Sequence, residues 1–278
     1  ARKMNIPCVH TYHTMYEDYL HYIANGKLLK PVHVKQISRS FLQNMNGIIA
    51  PSDRVLTTLR GYGVTEPITV IPTGVDLAKF SKADQVDYRK KYAIAADTPL
   101  LLTLSRLAYE KNIDQLIDAF VRIKEQLPAA KLMICGDGPA REDLENQVKR
   151  LHLTGSVIFT GEISNDQVPH YYHMANLFVS TSVSESQGLT YNEALASGLK
   201  VVTTHSPYTD ELLDQVCLGK TYSTVDEFVS DVVEYLKHPE KYRNEKVLAQ
   251  KLKSISAENF GKRVIHFYEH CIDEYQHS

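Results

Sequence analysis

Apolar runs of four or five residues, rich in Val, Ile and Leu, recur along the chain, and between them apolar positions come round every three to four residues. A short run of that kind reads as a strand buried on both faces, and the longer-period segments read as helices with one apolar side. Runs at 7–11, 47–50, 68–71, 100–104, 131–135, 157–160, 177–180 and 200–203 predict strands, while 112–126, 141–151, 166–174 and 189–197 predict helices. Strand alternating with helix is the pattern of an α/β protein with a parallel, doubly wound sheet. Ligands of such sheets bind beyond the carboxyl ends of the strands. The polar or glycine-rich segments fall there: SRLAYEK after Leu104, GDGP after Cys135, GEI after Thr160 and SES after Ser180.

Pro and Gly punctuate the chain at 71–76, IPTGVD, and an irregular polar stretch runs on to about Asp97. From Pro99 onward there are enough strands and helices for a whole lobe. The part before holds two or three strands, against about five or six, in roughly 100 to 150 residues, for a doubly wound lobe. The expected division is a remnant of a first Rossmann-like lobe at 1–72, truncated in this chain, a linker at 73–97, and a second Rossmann-like lobe at 98–257. A terminal helix at 258–278 is expected to pack back on the first lobe.

Composition narrows the function classes. The 278 residues are 43% hydrophobic and 23% charged with a formal net charge of −2, an ordinary globular balance that offers a polyanion little, so no nucleic-acid partner is expected. There is no run of about eighteen apolar residues and no secretion-signal pattern, and a cytoplasmic location is expected. Cys8, Cys135, Cys217 and Cys271 are far apart and form no C-x-x-C pair, so they read as small buried thiols without chemistry. Charge is uneven: 19–52 contains Lys27, Lys30, Lys35 and Arg39 and no Asp or Glu, which makes +4 there and −6 elsewhere. Leu28, Leu29, Val32, Val34, Ile37, Phe41, Leu42 and Met45 recur in the same stretch at roughly helical spacing. A helix that is basic and apolar together suits an anionic membrane surface, and equally a core helix with a solvated basic face.

The stretch 182–198, SVSESQGLTYNEALASG, narrows function most. Strand, polar loop and helix follow one another, which aims the unpaired amides and partial positive charge of a helix start at a ligand such as phosphate. Glu185 and Glu193 on either side can accept hydrogen bonds from sugar hydroxyls, and phosphate with hydroxyls points to a nucleotide sugar. Thr190-Tyr191-Asn192-Glu193 also fits a capping box. Arg106 and Lys111, after the 100–104 strand, can reach a diphosphate as a fork and a point charge, or pair on the surface with Glu110 or Asp114. In Gly136-Asp137-Gly138-Pro139 the third glycine of a dinucleotide fingerprint is replaced by Arg141, so that fingerprint is weak. His10 and His13 lie three apart on or beside a strand, on opposite faces, which suits a hydrogen bond to a sugar better than a metal. No D-x-D pair occurs.

Together these motifs resemble the retaining glycosyltransferases of GT4 type, which have the GT-B fold. Glu185 and Glu193 match the two ends of the E-x7-E signature, Arg106 and Lys111 match the pair that grips the donor phosphates, and Tyr12-His13-Thr14 matches an aromatic-His-Thr motif. Ser186-Gln187-Gly188-Leu189-Thr190-Tyr191 further resembles the diacylglycerol glucosyltransferase branch, with Gln in place of the commoner Phe. The resemblance covers essentially the whole chain. It implies an acceptor-side first lobe and a nucleotide-sugar-binding second lobe, in an enzyme moving a hexose, glucose, from a UDP-sugar to a lipid acceptor, diacylglycerol. It also implies no cofactor, no obligatory metal, and peripheral contact with the anionic inner face of the membrane. As catalytic residues it implies His13 beside the donor sugar and Glu185 meeting it. For donor binding it implies Arg106, Lys111, Gly138, Ile163, Gln187, Gly188 and Leu189, with Glu193 on the ribose. A GT4 enzyme with a soluble or polysaccharide acceptor, and a nucleotide-sugar-binding module without turnover, are the alternatives.

Overall fold

A computed structural model describes residues 2–14, 16, 30–81 and 88–277. The chain divides into two compact units: one comprises Ala1–Gly74, Glu185–Gln187 and Ile255–Ser278, the other Val75–Ser184 and Gly188–Ser254.

The first unit is built on a parallel sheet in the order β1 (Val9–Thr11), β2 (Gly47–Ala50) and β3 (Ile68–Val70). Every residue of β2 is buried, as a central strand covered on both faces must be. Its side chains alternate: Ile48 and Ala50 pack with Tyr12, Leu42, Val55 and Leu59, whereas Ile49 packs with Ile71, Phe267 and Cys271. The second cluster belongs to the terminal helix Ala257–His277, whose Arg263 donates to the Val70 carbonyl at 2.8 Å. A Cβ on Gly47 would meet the Cys271 sulfur and the Phe267 ring, so glycine there lets the helix approach the sheet. The opposite face is covered by the helices Pro31–Leu42 and Asp53–Gly61, which bury Val34, Ser38 and Leu42 from one and Val55 and Leu59 from the other.

The basic and apolar stretch 19–52 falls partly outside the described residues, which resume at Lys30. Within the helix Pro31–Leu42, Ile37 and Phe41 lie exposed one turn apart beside the buried stripe, with Lys35 and Arg39 exposed on its other side. It is a core helix that leaves three large apolar side chains, Val32, Ile37 and Phe41, in water.

The second unit is a six-stranded parallel sheet in the order β6-β5-β4-β7-β8-β9, with β4 Leu100–Leu104, β5 Lys131–Cys135, β6 Val157–Gly161, β7 Leu177–Ser180, β8 Val201–Thr204 and β9 Gly219–Tyr222. The chain runs outward from β4 to β6 and returns to β7 on the other side of β4, so the topological switch lies between β4 and β7. On one face Leu101, Leu132, Ile134, Val179 and Val202 pack against the helices Ile113–Gln126 and Val225–Lys237 through Leu116, Phe120, Phe228 and Val232. On the other, Phe178 stacks edgewise or tilted on Tyr172 and Tyr191 of the helices Val168–Met174 and Leu189–Ala196, at 5.7 and 6.1 Å.

Strand β9 was not among the expected strands, because Gly-Lys-Thr-Tyr carries no apolar run; pairing with β8 makes it a strand. Gly219 is needed there, since a Cβ would collide with the Val201 carbonyl. Residues expected to link the lobes, 75–81 and 88–97, group with the second unit and carry the short helices Leu77–Phe80 and Tyr88–Lys91. Arg89 explains the docking of the latter: it donates to the carbonyls of Met174, Ala95 and Thr98 and to Asn176 Oδ1, at 2.7–3.0 Å. No helix among the described residues is long and apolar enough to cross a membrane.

Candidate functional site

The order β6-β5-β4-β7 places four loops side by side along the carboxyl edge of the second sheet. Three of them, after β4, β5 and β6, line a cavity of about 600 Å³ that brings together Arg106, Gly138 and Ile163 with Ser105, Asp137 and Glu162. Arg106 is exposed, and Lys111 ends a 3-10 turn, Tyr109–Lys111, on the same loop. That loop is tied across the topological switch: Thr181 Oγ1 donates to the Asn112 carbonyl at 2.8 Å.

The glycines of the GDGP turn serve packing. A Cβ on Gly136 would strike the Ser105 carbonyl and one on Gly138 the Leu107 carbonyl, so both let the turn nest against the β4 loop, which Leu107 N–H clamps by donating to the Asp137 carbonyl at 2.9 Å. The Gly138 amide donates to Asp137 Oδ1 at 2.7 Å, and Arg141 donates to Asp137 Oδ2 at 2.8 Å. These two hydrogen bonds hold the Asp137 carboxyl below the usual carboxylate range.

The helix Leu189–Ala196 starts at Gly188, whose φ of +77° is left-handed and whose missing Cβ makes room for the Tyr191 ring. No side chain caps it, so its first amides point at whatever lies beyond the start. The capping-box alternative fails on this geometry. The N-cap is Gly188 rather than Thr190, and the Glu193 carboxylate instead accepts from the Tyr172 hydroxyl at 2.9 Å. Tyr172 is fully buried, and the Thr190 carbonyl lies 3.2 Å from the same hydroxyl as a second acceptor. Burial pushes the Glu193 carboxyl above its ordinary pKa, opposed by the Tyr172 hydrogen bond and by the charge of Lys79. Lys79 is held in turn by Asn165 Oδ1 at 2.7 Å.

Glu185, Gln187 and His13 belong to the first unit. His13 lies just past the carboxyl end of β1 and is exposed, while His10 within β1 packs edgewise on Phe41 at 5.0 Å. Burial, and then the neighbouring His13, lower the pKa of His10. Gln187 is buried, and its carboxamide is engaged at both ends by the Thr73 backbone. Cys135 and Cys271 are buried free thiols, and burial pushes Cys135 up to about 12. Among the described residues no three His, Cys, Asp or Glu side chains gather as a metal set. Sequence reasoning missed Tyr172, Lys79, Ser52, Arg54 and Thr73. Nothing in local spacing signals them, because Tyr172 is 21 residues from Glu193 and Thr73 is 114 from Gln187.

The model of the glycosyl transferases group 1 family matches residues 84–251, and that of glycosyltransferase family 4 matches residues 1–79. The chain is 43% identical, over 96% of its length, to an alpha-monoglucosyldiacylglycerol synthase of Streptococcus pneumoniae strain R6, and 30% identical, over 86%, to a protein of the same name from Acholeplasma laidlawii. It spans 62% and 63% of the lengths of these two relatives. Among solved structures it is similar to HepE of Anabaena in complex with UDP-glucose, with a TM-score of 0.79 at 18% identity, covering 95% of this chain and 72% of HepE. That likeness is one of fold, the GT-B fold.

Proposed function

Because the chain belongs to the glycosyl transferases group 1 family, we propose that the protein transfers glucose from UDP-glucose to diacylglycerol at a membrane surface, with retention at the anomeric carbon. The observation that carries this reading is the 43% identity across 96% of the chain to a protein named as an alpha-monoglucosyldiacylglycerol synthase. The site chemistry supports it: Arg106 and Lys111 meet the diphosphate, the uncapped helix start at Gly188 and Leu189 adds its amides, and Glu193 takes the ribose hydroxyls. Gly138 and Ile163 line the nucleotide's cavity. By the resemblance, His13 and Glu185 are read as the residues that meet the transferred sugar. The bond from the anomeric carbon to the diphosphate oxygen breaks with its electron pair going to UDP, while the acceptor oxygen joins that carbon on the same face and its proton passes to the departing phosphate oxygen. Charge developing on the leaving UDP is held by Arg106, Lys111 and the helix start, with no obligatory metal.

The direct test is mass-spectrometric detection of product from the intact protein supplied with UDP-glucose, UDP-galactose or GDP-mannose and with diacylglycerol or soluble acceptors. Glucosyldiacylglycerol from UDP-glucose is the expected product. Transfer only to soluble acceptors, or donor binding with no product, contradicts it.

Membrane contact has its own expected result. Ile37 and Phe41 are exposed beside a basic stretch, so the intact protein should sediment with anionic vesicles and be released as salt screens the lysines, while neutral vesicles retain little. Equal, salt-insensitive partition to both, or none to either, favours a soluble acceptor.

Tyr172→Phe removes the hydroxyl that offsets the burial of Glu193, so the carboxyl should rise further. The ionised form accepts ribose hydroxyls, and affinity is lost as pH falls through that pKa; the acid limb should therefore move to higher pH in the variant. Uridine is the probe, because it lacks a phosphate that titrates near pH ~6. An unchanged acid limb, measured calorimetrically, contradicts the role given to Tyr172.

A further inference from the structure

The loop that carries Glu185 is held at three consecutive residues. Arg54 Nη1 donates to the Glu185 carbonyl at 3.0 Å, the Ser52 hydroxyl donates to the Ser186 carbonyl, and Gln187 closes a two-way pair with Thr73. In that pair the Thr73 amide donates to Oε1 and Nε2 donates to the Thr73 carbonyl, both at 2.9 Å, which copies the exchange of neighbouring strands. Gln187 is 4% exposed, so water does not compete for either bond. Ser52 stands at the N-cap of the helix Asp53–Gly61 yet makes no capping bond; its hydroxyl is turned to Ser186 instead.

The anchors share a place in the fold. Ser52 and Arg54 follow β2 and Thr73 follows β3, so 185–187 lies along the carboxyl edge of the first sheet. His13 leaves β1 at that same edge of the parallel sheet. The two residues read as facing the transferred sugar thus belong to one sheet's edge in one unit, while Arg106, Lys111 and Glu193 are built into the other unit.

We propose that Gln187, with Arg54 and Ser52, straps residues 185–187 to the first sheet, and that Gln187 is a positioning residue for Glu185 rather than a group that binds the donor through its side chain. The inference rests on the reading of Glu185 at the donor sugar. A strap of this kind acts chiefly on the sugar end, because Arg106, Lys111 and Glu193, the side chains read as gripping diphosphate and ribose, belong to the other unit and only the helix start at Gly188 and Leu189 adjoins it. An error of about one ångström at a reacting centre costs on the order of a hundredfold in rate.

The test compares Gln187→Leu, Thr73→Pro and Glu185→Ala with wild type in the intact protein, measuring UDP affinity by calorimetry and glucosyl transfer from UDP-glucose. Gln187→Leu keeps the side-chain bulk and removes the amide; Thr73→Pro removes the N–H that meets Oε1, together with the threonine side chain and the freedom of φ, and it carries the test if the first variant does not fold. The expected result is a UDP Kd within about twofold of wild type and a kcat lower by about tenfold to a hundredfold in either variant. Adding Arg54→Ala to Gln187→Leu should cost less than the product of the separate losses, since both loosen one loop. A matching loss of UDP affinity, or an unchanged kcat, overturns the strap. Unimpaired transfer by Glu185→Ala sinks the underlying reading of Glu185 instead, and that outcome is separate from the behaviour of Gln187.

Discussion

Replacing Arg106 and Lys111 together with alanine is expected to weaken UDP binding by more than a hundredfold while uridine binding changes by less than about threefold. Hydrogen bonds to charged groups are worth roughly 1.5 to 3 kcal/mol each, and about 1.4 kcal/mol is tenfold in Kd, so either single variant should lose about tenfold to a hundredfold. Uridine lacks the charge these side chains neutralise, which makes the ratio of the two losses the diagnostic quantity. Arg106 lines the cavity beyond β4, β5 and β6, and Lys111 closes the same loop. Equal losses for UDP and uridine would place the pair away from the phosphates, and no loss for either would make it an ordinary solvated surface.

Glu193→Ala is expected to weaken UDP by about 1 to 3 kcal/mol, roughly fivefold to 150-fold in Kd, as a lost acceptor for the ribose hydroxyls. Stability should hardly fall, for a reason visible in the carboxyl's surroundings. Burial raises the Glu193 carboxyl, so ionising it costs more in the folded protein than in the unfolded chain: its contribution is complete below the unfolded pKa and is lost as pH rises through the folded one, and the charged form does not stabilise the free protein. Tyr172, deprived of Glu193, still has the Thr190 carbonyl within reach. Calorimetry with UDP and a thermal melt at neutral pH decide the matter. A melt lowered by several degrees with UDP affinity intact would return Glu193 to a purely structural role.

Seven of the eight expected strands of this α/β fold lie within a residue of where the apolar runs put them, and the eighth, at 7–11, is shortened to Val9–Thr11. The reason is that a strand buried on both faces must be a nearly continuous apolar run, as Leu100–Leu104 and Leu177–Ser180 are but for one small hydroxyl residue each, and such a run is a property of the chain alone. The same holds for the motifs of the edge loops: a polar loop between a buried strand and a helix has to emerge at the strand's carboxyl end, so Arg106, Gly138 and Ile163 came together once the strands paired. What pairing decides was not legible. Gly219–Tyr222 is a strand only because β8 lies beside it, and Arg89 is a clamp only because Met174 and Asn176 come near it.

At the site, the residue types were written in the sequence and their allegiances were not. Glu185 and Glu193 stand eight positions apart in one motif, yet the first belongs with Arg54, Ser52 and Thr73 and the second with Tyr172 and Lys79. Spacing along a chain reports the period of a helix or a strand; it carries no information about which distant donor will meet a carboxylate, because that depends on how strands 20 to more than 100 residues apart are ordered in a sheet. The sequence by itself determined the buried strands, the loops that bear chemistry and the family; tertiary structure alone decided that Gly219–Tyr222 is a strand, that Glu193 is buried on a tyrosine, and that three backbone clamps hold Glu185 on the sheet from which His13 emerges.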